Sequence, residues 1–139
     1  MNSSLDSTLL DSALDRGLDA VPLDHEERPW GSWHVIDLNV GYKVKRIHVK
    51  SGSRLSYQTH RHRSEHWVVI SGIATCTVDD ETRVVGPGES LDVPVGAKHR
   101  LANLTREPLV IVEVQRGSYT GEDDIERLDD DYGRCAELG

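Results

Sequence analysis

Two separate stretches of the sequence carry side chains that bind metal ions. Gln58, His60 and Glu65 lie close together, and His99 follows much later. Side chains alternate between the two faces of a strand, so Gln58 and His60 point the same way if residues 58–62 end a strand. A second strand that begins at Glu65 would bring its carboxylate to the same point. Two imidazoles, a carboxylate and an amide oxygen make a nitrogen–oxygen ligand set for one divalent first-row metal.

Metal-assisted chemistry also needs a group that moves protons. His62 lies two residues beyond His60 on the same predicted face, and histidine is the side chain that changes charge near neutral pH. Its other interpretation is a rim histidine or an alternative metal ligand. Lys45 is the second candidate, as a general base if it is desolvated or as a phosphate contact. The strand pattern around Lys45 leaves the direction of its side chain open.

A bound anion would need fixed cations, and the planar guanidinium of arginine pairs best with oxyanions. Arg54 precedes the ligand strand at a predicted mouth position, and Arg134 reaches the site if the C-terminal tail folds back. Trp67 is expected to line the interior beside the metal. Strand alternation predicts that three further arginines face away from it: Arg61, Arg63 and Arg100.

The segment from Trp30 to Val114 has the pattern of an all-β domain. Short β-branched runs alternate there with turn residues, which is typical of a sandwich or barrel. The predicted strands are Trp33–Leu38, Tyr42–Val49, Trp67–Ile70, Ala74–Val78, Ser90–Val93 and Leu109–Val114. Helical spacing of leucines predicts a short helix or an irregular leader within residues 5–18. Ile125 and Leu128 similarly suggest a short closing helix.

Charge divides the 139 residues into three segments. The net charge is −8, yet residues 28–120 hold nine acids and thirteen bases. The acids concentrate in an N-terminal segment, 1–27, and in a tail, 121–139, which is expected to close on the barrel. Acidic tails compete with phosphate backbones, which argues against nucleic acid as the main partner. The excess of bases in residues 28–120 suits a small anionic substrate. Bases that simply lie on the solvated surface would give the same excess.

Targeting and redox signals are weak. The sequence has no run of about 18 apolar residues and no basic, then apolar, leader, so neither a membrane span nor a secretion signal is predicted. Two cysteines, Cys76 and Cys135, do not make a disulfide framework. They are interpreted as unpaired thiols of a cytoplasmic protein.

The spacing of glycines around the ligands is similar to the two motifs of the cupin superfamily. The first motif is carried by Gly52, Gln58, His60, Glu65 and Gly72. The second is carried by Gly88, Pro94, Gly96, His99 and Asn103. Gln58 stands where that superfamily usually has a first histidine. The resemblance implies a single cupin barrel, also called a double-stranded β-helix or jelly roll, with Gln58, His60, Glu65 and His99 as ligands.

Longer runs narrow the resemblance to the type II mannose-6-phosphate isomerases. They are residues 28–31, 42–47, 55–67, 113–117, 121–125 and 131–134. This resemblance implies interconversion of mannose 6-phosphate and fructose 6-phosphate through an enediol-type intermediate. In many relatives a mannose-1-phosphate guanylyltransferase precedes this domain. Only 27 residues precede Arg28 here, so synthesis of GDP-mannose is not expected from this chain.

Several expectations follow from that family. One divalent ion is expected, with zinc favoured over manganese, cobalt, nickel and iron, and the substrate is a phosphorylated hexose. Unpaired strand edges favour a homodimer. Two alternatives remain open: a cupin oxygenase that uses Fe(II) on the same ligands, and a non-catalytic sugar-binding cupin. The positive balance of residues 28–120 and the absence of phenylalanine speak mildly against the oxygenase.

Overall fold

The computed structural model describes residues 24–134, which form eleven strands and no helix. The strands are β1 His25–Arg28, β2 Gly31–Asn39, β3 Tyr42–Val49, β4 Tyr57–Thr59, β5 Arg63–Ser71, β6 Ala74–Val78, β7 Glu81–Val85, β8 Ser90–Val93, β9 His99–Ala102, β10 Leu109–Gly117 and β11 Glu126–Asp129. The predicted bounds of β3, β6 and β8 are therefore confirmed. The helix predicted within residues 5–18, and Cys135, lie outside the described residues.

The strands form two antiparallel sheets that face each other. One sheet has the order β1-β2-β3-β10-β5-β8, and the other has the order β11-β4-β9-β6-β7. Each sheet mixes strands from distant parts of the chain, as expected when a β-ribbon folds over itself into a jelly roll. The prediction of an all-β jelly-roll barrel is confirmed. No helix among the described residues is long and apolar enough to cross a bilayer.

The interior face of the six-stranded sheet changes from apolar to charged along its strands. Odd-numbered residues of β3, β5 and β10 face inward, as their alternating burial shows. The apolar end carries Ile47, Val49, Val69, Leu109 and Ile111, which join the hydrophobic core. The charged end carries Lys43, Lys45, Arg63, Glu65, Glu113 and Gln115, all buried. Burying that many ionisable groups requires partners for them. The candidate functional site lies at this end of the barrel.

The acidic tail adds a strand where a helix was predicted. Residues Glu126–Asp129 form β11 and pair with β4, with Arg127 opposite Gln58. The helical interpretation of Ile125 and Leu128 is therefore wrong, because backbone pairing with an open sheet edge prevails over a weak i, i+3 pattern. At the other end, β1 begins at His25, three residues before the predicted start of the barrel.

Candidate metal centre and its cavity

His60, Glu65 and His99 converge inside the barrel at its charged end. All three are buried, and one ligand atom from each lies within 4.8 Å of the others. The Nε2 atom of His60 is 3.1 Å from Nε2 of His99 and 3.1 Å from Oε2 of Glu65. They come from β9, from β5 and from the segment after β4, so the cluster exists only when both sheets are assembled.

The hydrogen bonds of the two imidazoles direct their Nε2 lone pairs into the cluster. Nδ1 of His60 lies 2.6 Å from the carbonyl oxygen of Asp124, and Nδ1 of His99 lies 3.0 Å from that of Ala97. A carbonyl oxygen accepts, so each Nδ1 carries the hydrogen. Burial lowers the pKa of His99, which favours its neutral ring.

The Glu65 carboxylate completes a set of electron-rich atoms. Burial alone would raise the pKa of Glu65. Contacts with His60 and Glu113 lower it by more than burial raises it, so the pKa lies well below its ordinary value. Two lone pairs and an anionic oxygen converge here, with Nε2 of His60 about 3 Å from each of the other two atoms, and a cation beside them would be stabilised. The donor set and its convergence fit a divalent metal ion.

Gln58 lies beside this cluster as the fourth predicted ligand. It is the cross-strand partner of His99 and lines the same cavity. Its amide nitrogen donates to the hydroxyl oxygen of Ser56 at 2.9 Å and to the carbonyl oxygen of Ser56 at 3.3 Å. The amide oxygen is therefore the atom that this side chain can offer to a cation.

Arg63 points into the site, contrary to the prediction. Its Nε donates to Oε2 of Glu65 at 2.9 Å, and its Nη2 is 3.2 Å from Nε2 of His60. The reason is a shift of the bend: it occupies Arg61 and His62, and β5 already begins at Arg63. Arg63 thus shares the inward parity of Glu65.

The same bend separates His62 from the metal ligands. The prediction that His62 shares the face of His60 is wrong, because the extended backbone ends before it. Its side chain is 53% exposed, and its ring lies against Tyr119 in an adjoining surface pocket. His62 does not line the cavity of the metal ligands.

Glu113 is a buried carboxyl group of the site that the sequence did not single out as functional. Trp67 Nε1 donates to Glu65 at 2.9 Å and to Glu113 at 3.1 Å, and Gln115 donates to the other Glu113 oxygen at 2.8 Å. Burial and the neighbouring Glu65 raise the pKa of Glu113 to about 8. Its presence in the run 113–117 of the family resemblance was the available signal. Trp67 lines the cavity as predicted.

Two lysines of β3 stand at the other side of Glu113. Lys45 faces inward and lines the cavity, which settles the direction that the sequence left open. Its Nζ is 2.7 Å from Oε2 of Glu122 and 4.0 Å from the centre of the Trp33 ring. Lys43 reaches the same Glu122 oxygen at 3.0 Å.

The two predicted phosphate arginines have different positions. Arg134 lines the cavity, and its guanidinium donates to Asp130 at 2.9 and 3.1 Å. Arg54 does not line the cavity. Its guanidinium donates to both carboxylate oxygens of Asp131 at 2.8 and 2.9 Å and is 42% exposed. The structure therefore brings Arg134 to the site and leaves Arg54 on the outer surface.

Asp124 fastens the tail to the segment that carries the first ligands. Its carboxylate accepts the backbone N–H groups of Arg61 and His62, each at 2.9 Å, while its carbonyl oxygen accepts from His60. Burial alone would raise the pKa of Asp124. Those two N–H donors lower it by more than burial raises it, so the pKa lies below its ordinary value. One tail residue therefore fixes both the bend and the ring of a ligand.

A small β-barrel with two histidines and a glutamate turned inward defines a cupin-type domain with a candidate metal site. The chain belongs to the family described as "Mannose-6-phosphate isomerase C-terminal", whose model matches residues 21–130.

Comparisons with individual proteins agree with that family. The chain is 54% identical over 110 residues to the alginate biosynthesis protein AlgA of Pseudomonas aeruginosa, covering 79% of this chain and 23% of that protein. It is 50% identical over 107 residues to the mannose-1-phosphate guanylyltransferase ManC of Salmonella typhimurium, covering 77% and 22%. The chain thus spans about a quarter of the length of these relatives. The cupin domain of Cnp3 from Schizosaccharomyces pombe shares the fold, with a TM-score of 0.60 at 13% identity, covering 70% and 69%.

Proposed function

We propose that this domain isomerises mannose 6-phosphate and fructose 6-phosphate, in the cytoplasm, with one divalent ion. The observation that carries the proposal is the buried convergence of His60, Glu65 and His99 beside a cavity that basic side chains line. The family match and the names of the relatives, which refer to alginate biosynthesis and mannose 1-phosphate, support a sugar phosphate as the substrate class. A free, buried Cys76 is compatible with a reducing compartment.

Aldose–ketose isomerisation moves one proton from C2 to C1 and another from the C2 hydroxyl to the carbonyl oxygen. A divalent ion held by Gln58, His60, Glu65 and His99 would supply the Lewis acidity that polarises the carbonyl group. Zinc suits this ligand set, although manganese, cobalt, nickel and iron share it. The burial of His60, Glu65 and His99 strengthens the electrostatic effect of this site.

Glu113 is the group that we propose carries the carbon-bound proton. Its carboxyl group lies on the cavity wall between Trp67 and Lys45 and close to the Glu65 ligand. In the proposed reaction the ionised form of Glu113, which becomes populated as the pH rises toward its pKa of about 8, accepts the proton from C2 and returns it at C1, through an enediol intermediate. Lys45, predicted as a base, is held by Glu122 and better suits an anion contact.

A non-catalytic sugar-binding role is the second candidate, and one observation favours it. The guanidinium of Arg63 already contacts two of the metal ligands, His60 and Glu65. A permanent positive charge there can replace a metal ion as counter-charge, leaving a binding pocket without an electrophile.

Metal analysis combined with a coupled assay distinguishes the two roles. We expect the purified protein to hold one divalent ion per chain and to interconvert the two hexose phosphates. His60→Ala should lose both the ion and the activity, since a ligand is removed. His62→Ala is the matched control and should keep the ion. Loss of the ion in His62→Ala, or no turnover by the metal-loaded protein, would contradict the proposal.

A further inference from the structure

Lys43 and Lys45 form an unusual pair of buried cations. Their side chains are only 9% and 6% exposed, and both ammonium groups contact a single oxygen, Oε2 of Glu122. Lysine is rarely buried unless it is paired, because its ammonium group loses its hydration. One carboxylate that is itself 45% exposed leaves an excess of positive charge at this point.

The other acids of the wall are engaged elsewhere. Glu65 accepts from Arg63 and Trp67, and Glu113 accepts from Trp67 and Gln115. Among the described residues, Glu122 is therefore the acid in ion-pair contact with the two lysines. Replacing a buried ion pair with apolar groups is often neutral or stabilising, so stability alone gives little reason for this arrangement.

The register of the sheet sets the distance from this pair to the metal ligands. Lys43, Gln115 and Glu65 are cross-strand partners on β3, β10 and β5. Two strand spacings, about 10 Å, separate the backbone of the lysine row from the backbone of Glu65. That separation is comparable with the length of an extended six-carbon phosphate ester whose carbonyl end lies at the metal ligands.

Glu122 itself lies where it can move away. It belongs to a surface turn in which the N–H of Asp124 donates to the carbonyl oxygen of Gly121 at 3.2 Å. Asp124 anchors the end of that turn, so a rotation of the Glu122 side chain into solvent leaves the anchor in place. Such a rotation would cost the protein the contacts of Lys43 and Lys45 with the half-exposed Glu122 carboxylate.

We infer that Lys43 and Lys45 are an anion subsite for the phosphate group of the substrate, and that Glu122 occupies it in the free protein. The Glu122 carboxylate pairs with both ammonium groups in the free protein, and a bound phosphate displaces it. Naming the sugar phosphate as the ligand rests on the proposed function, whereas the anion subsite does not.

Calorimetric titration of inorganic phosphate into the full chain, kept metal-free with chelator, tests the subsite. Glu122→Gln removes the competing charge and should bind phosphate roughly tenfold more tightly than the wild type, within the usual range of coupling between sites. Glu81→Gln, on the exposed strand β7, removes the same charge elsewhere and should stay within about twofold. Adding Lys45→Met, or Lys43→Met if the first variant does not fold, to Glu122→Gln should abolish the gain.

Equal phosphate affinity in the wild type and Glu122→Gln would overturn the inference. A competition arm separates substrate from free anion: mannose 6-phosphate should displace phosphate from Glu122→Gln, and mannose should not. If mannose 6-phosphate fails to displace it, the assignment to the substrate phosphate is overturned. Tight, competitive binding without any turnover by the metal-loaded wild type would support the subsite and contradict only the isomerase reaction.

Discussion

Arg63 is the residue whose role changes most between the sequence and the folded protein. It is buried, it donates to Glu65, and its Nη2 contacts Nε2 of His60. The guanidinium therefore supplies positive charge to the ligand cluster. A metal ion placed on the same ligands would lie beside this charge, so Arg63 and the metal oppose each other electrostatically.

Replacement of Arg63 tests this opposition. Arg63→Met should destabilise the metal-free protein by about 3 kcal/mol, because Glu65 loses its buried partner. Zinc should reduce that loss and bind the variant more tightly than the wild type. Denaturant unfolding with chelator and with zinc measures both effects.

The neighbouring Arg61 provides the matched control. Its side chain is exposed, so Arg61→Met should change stability by less than about 0.5 kcal/mol under either condition. The same destabilisation of Arg63→Met with and without zinc would show that the guanidinium is not coupled to the metal site.

At the scale of elements, the bend between β4 and β5 decides which side chains enter the site. The bend is held by Asp124 from the tail and by the N–H of Gly96, which donates to the carbonyl oxygen of His60 at 3.0 Å. Gly117 of β10 lies against it so closely that an added Cβ would be 1.9 Å from the His62 carbonyl oxygen. Only glycine fits at that position, and the bend can therefore pack on the sheet.

Removing the charge of Asp124 should loosen this bend. Asp124→Asn turns one acceptor into an amide donor that faces a backbone N–H, which should cost about 1–3 kcal/mol of folding stability. Because the bend carries the His60 ligand, zinc affinity should fall roughly tenfold or more. Asp123→Asn, whose partner is the hydroxyl group of Tyr119, is the control and should retain zinc affinity. Unchanged zinc affinity in Asp124→Asn would rule out this positioning role.

The same variant has a defined pH dependence. The folded-state pKa of Asp124 lies below the ordinary 3.8, since two backbone N–H groups stabilise its charge. Its contribution is therefore complete above the unfolded pKa and is lost as the pH falls through the lower folded value. The stability gap between wild type and Asp124→Asn should be constant above about pH 5 and narrow below about pH 4.

At the scale of the whole molecule, the barrel separates an apolar core from the charged end that holds the candidate site. Ile111 is fully buried at the apolar end of β10, two residues before Glu113 at the charged end. Ile111→Ala should cost about 2–5 kcal/mol in urea unfolding, through lost burial and a cavity. Zinc affinity should be retained by the folded variant. Val110→Ala, on the opposite face of the strand, is the control and should cost much less. A large loss of zinc affinity in Ile111→Ala would show that the two ends are coupled.

The edges of the sheets bear on assembly. Strand β7 ends the five-stranded sheet and exposes Val84, whose relative accessibility is 69%. An exposed strand edge offers unpaired backbone groups to a second copy. We expect light scattering to give twice the chain mass, and Val84→Lys to shift the protein toward the monomer. A monomeric wild type would contradict the predicted homodimer.

The sequence by itself determined the β-rich pattern, several strand bounds and the residue types of the candidate metal ligands. These features depend on local alternation and on short spacings, which a single sequence displays. His60, Glu65 and His99 could therefore be named before their distances were known. The cupin assignment followed from the resemblance of residues 52–72 and 88–103 to the two motifs of that superfamily.

Only the tertiary structure decided the places of Arg63, His62, Lys45 and Glu113 relative to the site. Arg63 enters and His62 leaves because a bend held by the tail residue Asp124 resets the strand parity. Glu113 and Lys45 meet through pairing between β10 and β3, more than sixty residues apart in the chain. Such contacts depend on the register between distant strands and on the docking of the C-terminal tail. The local sequence pattern of a single segment reveals neither of these.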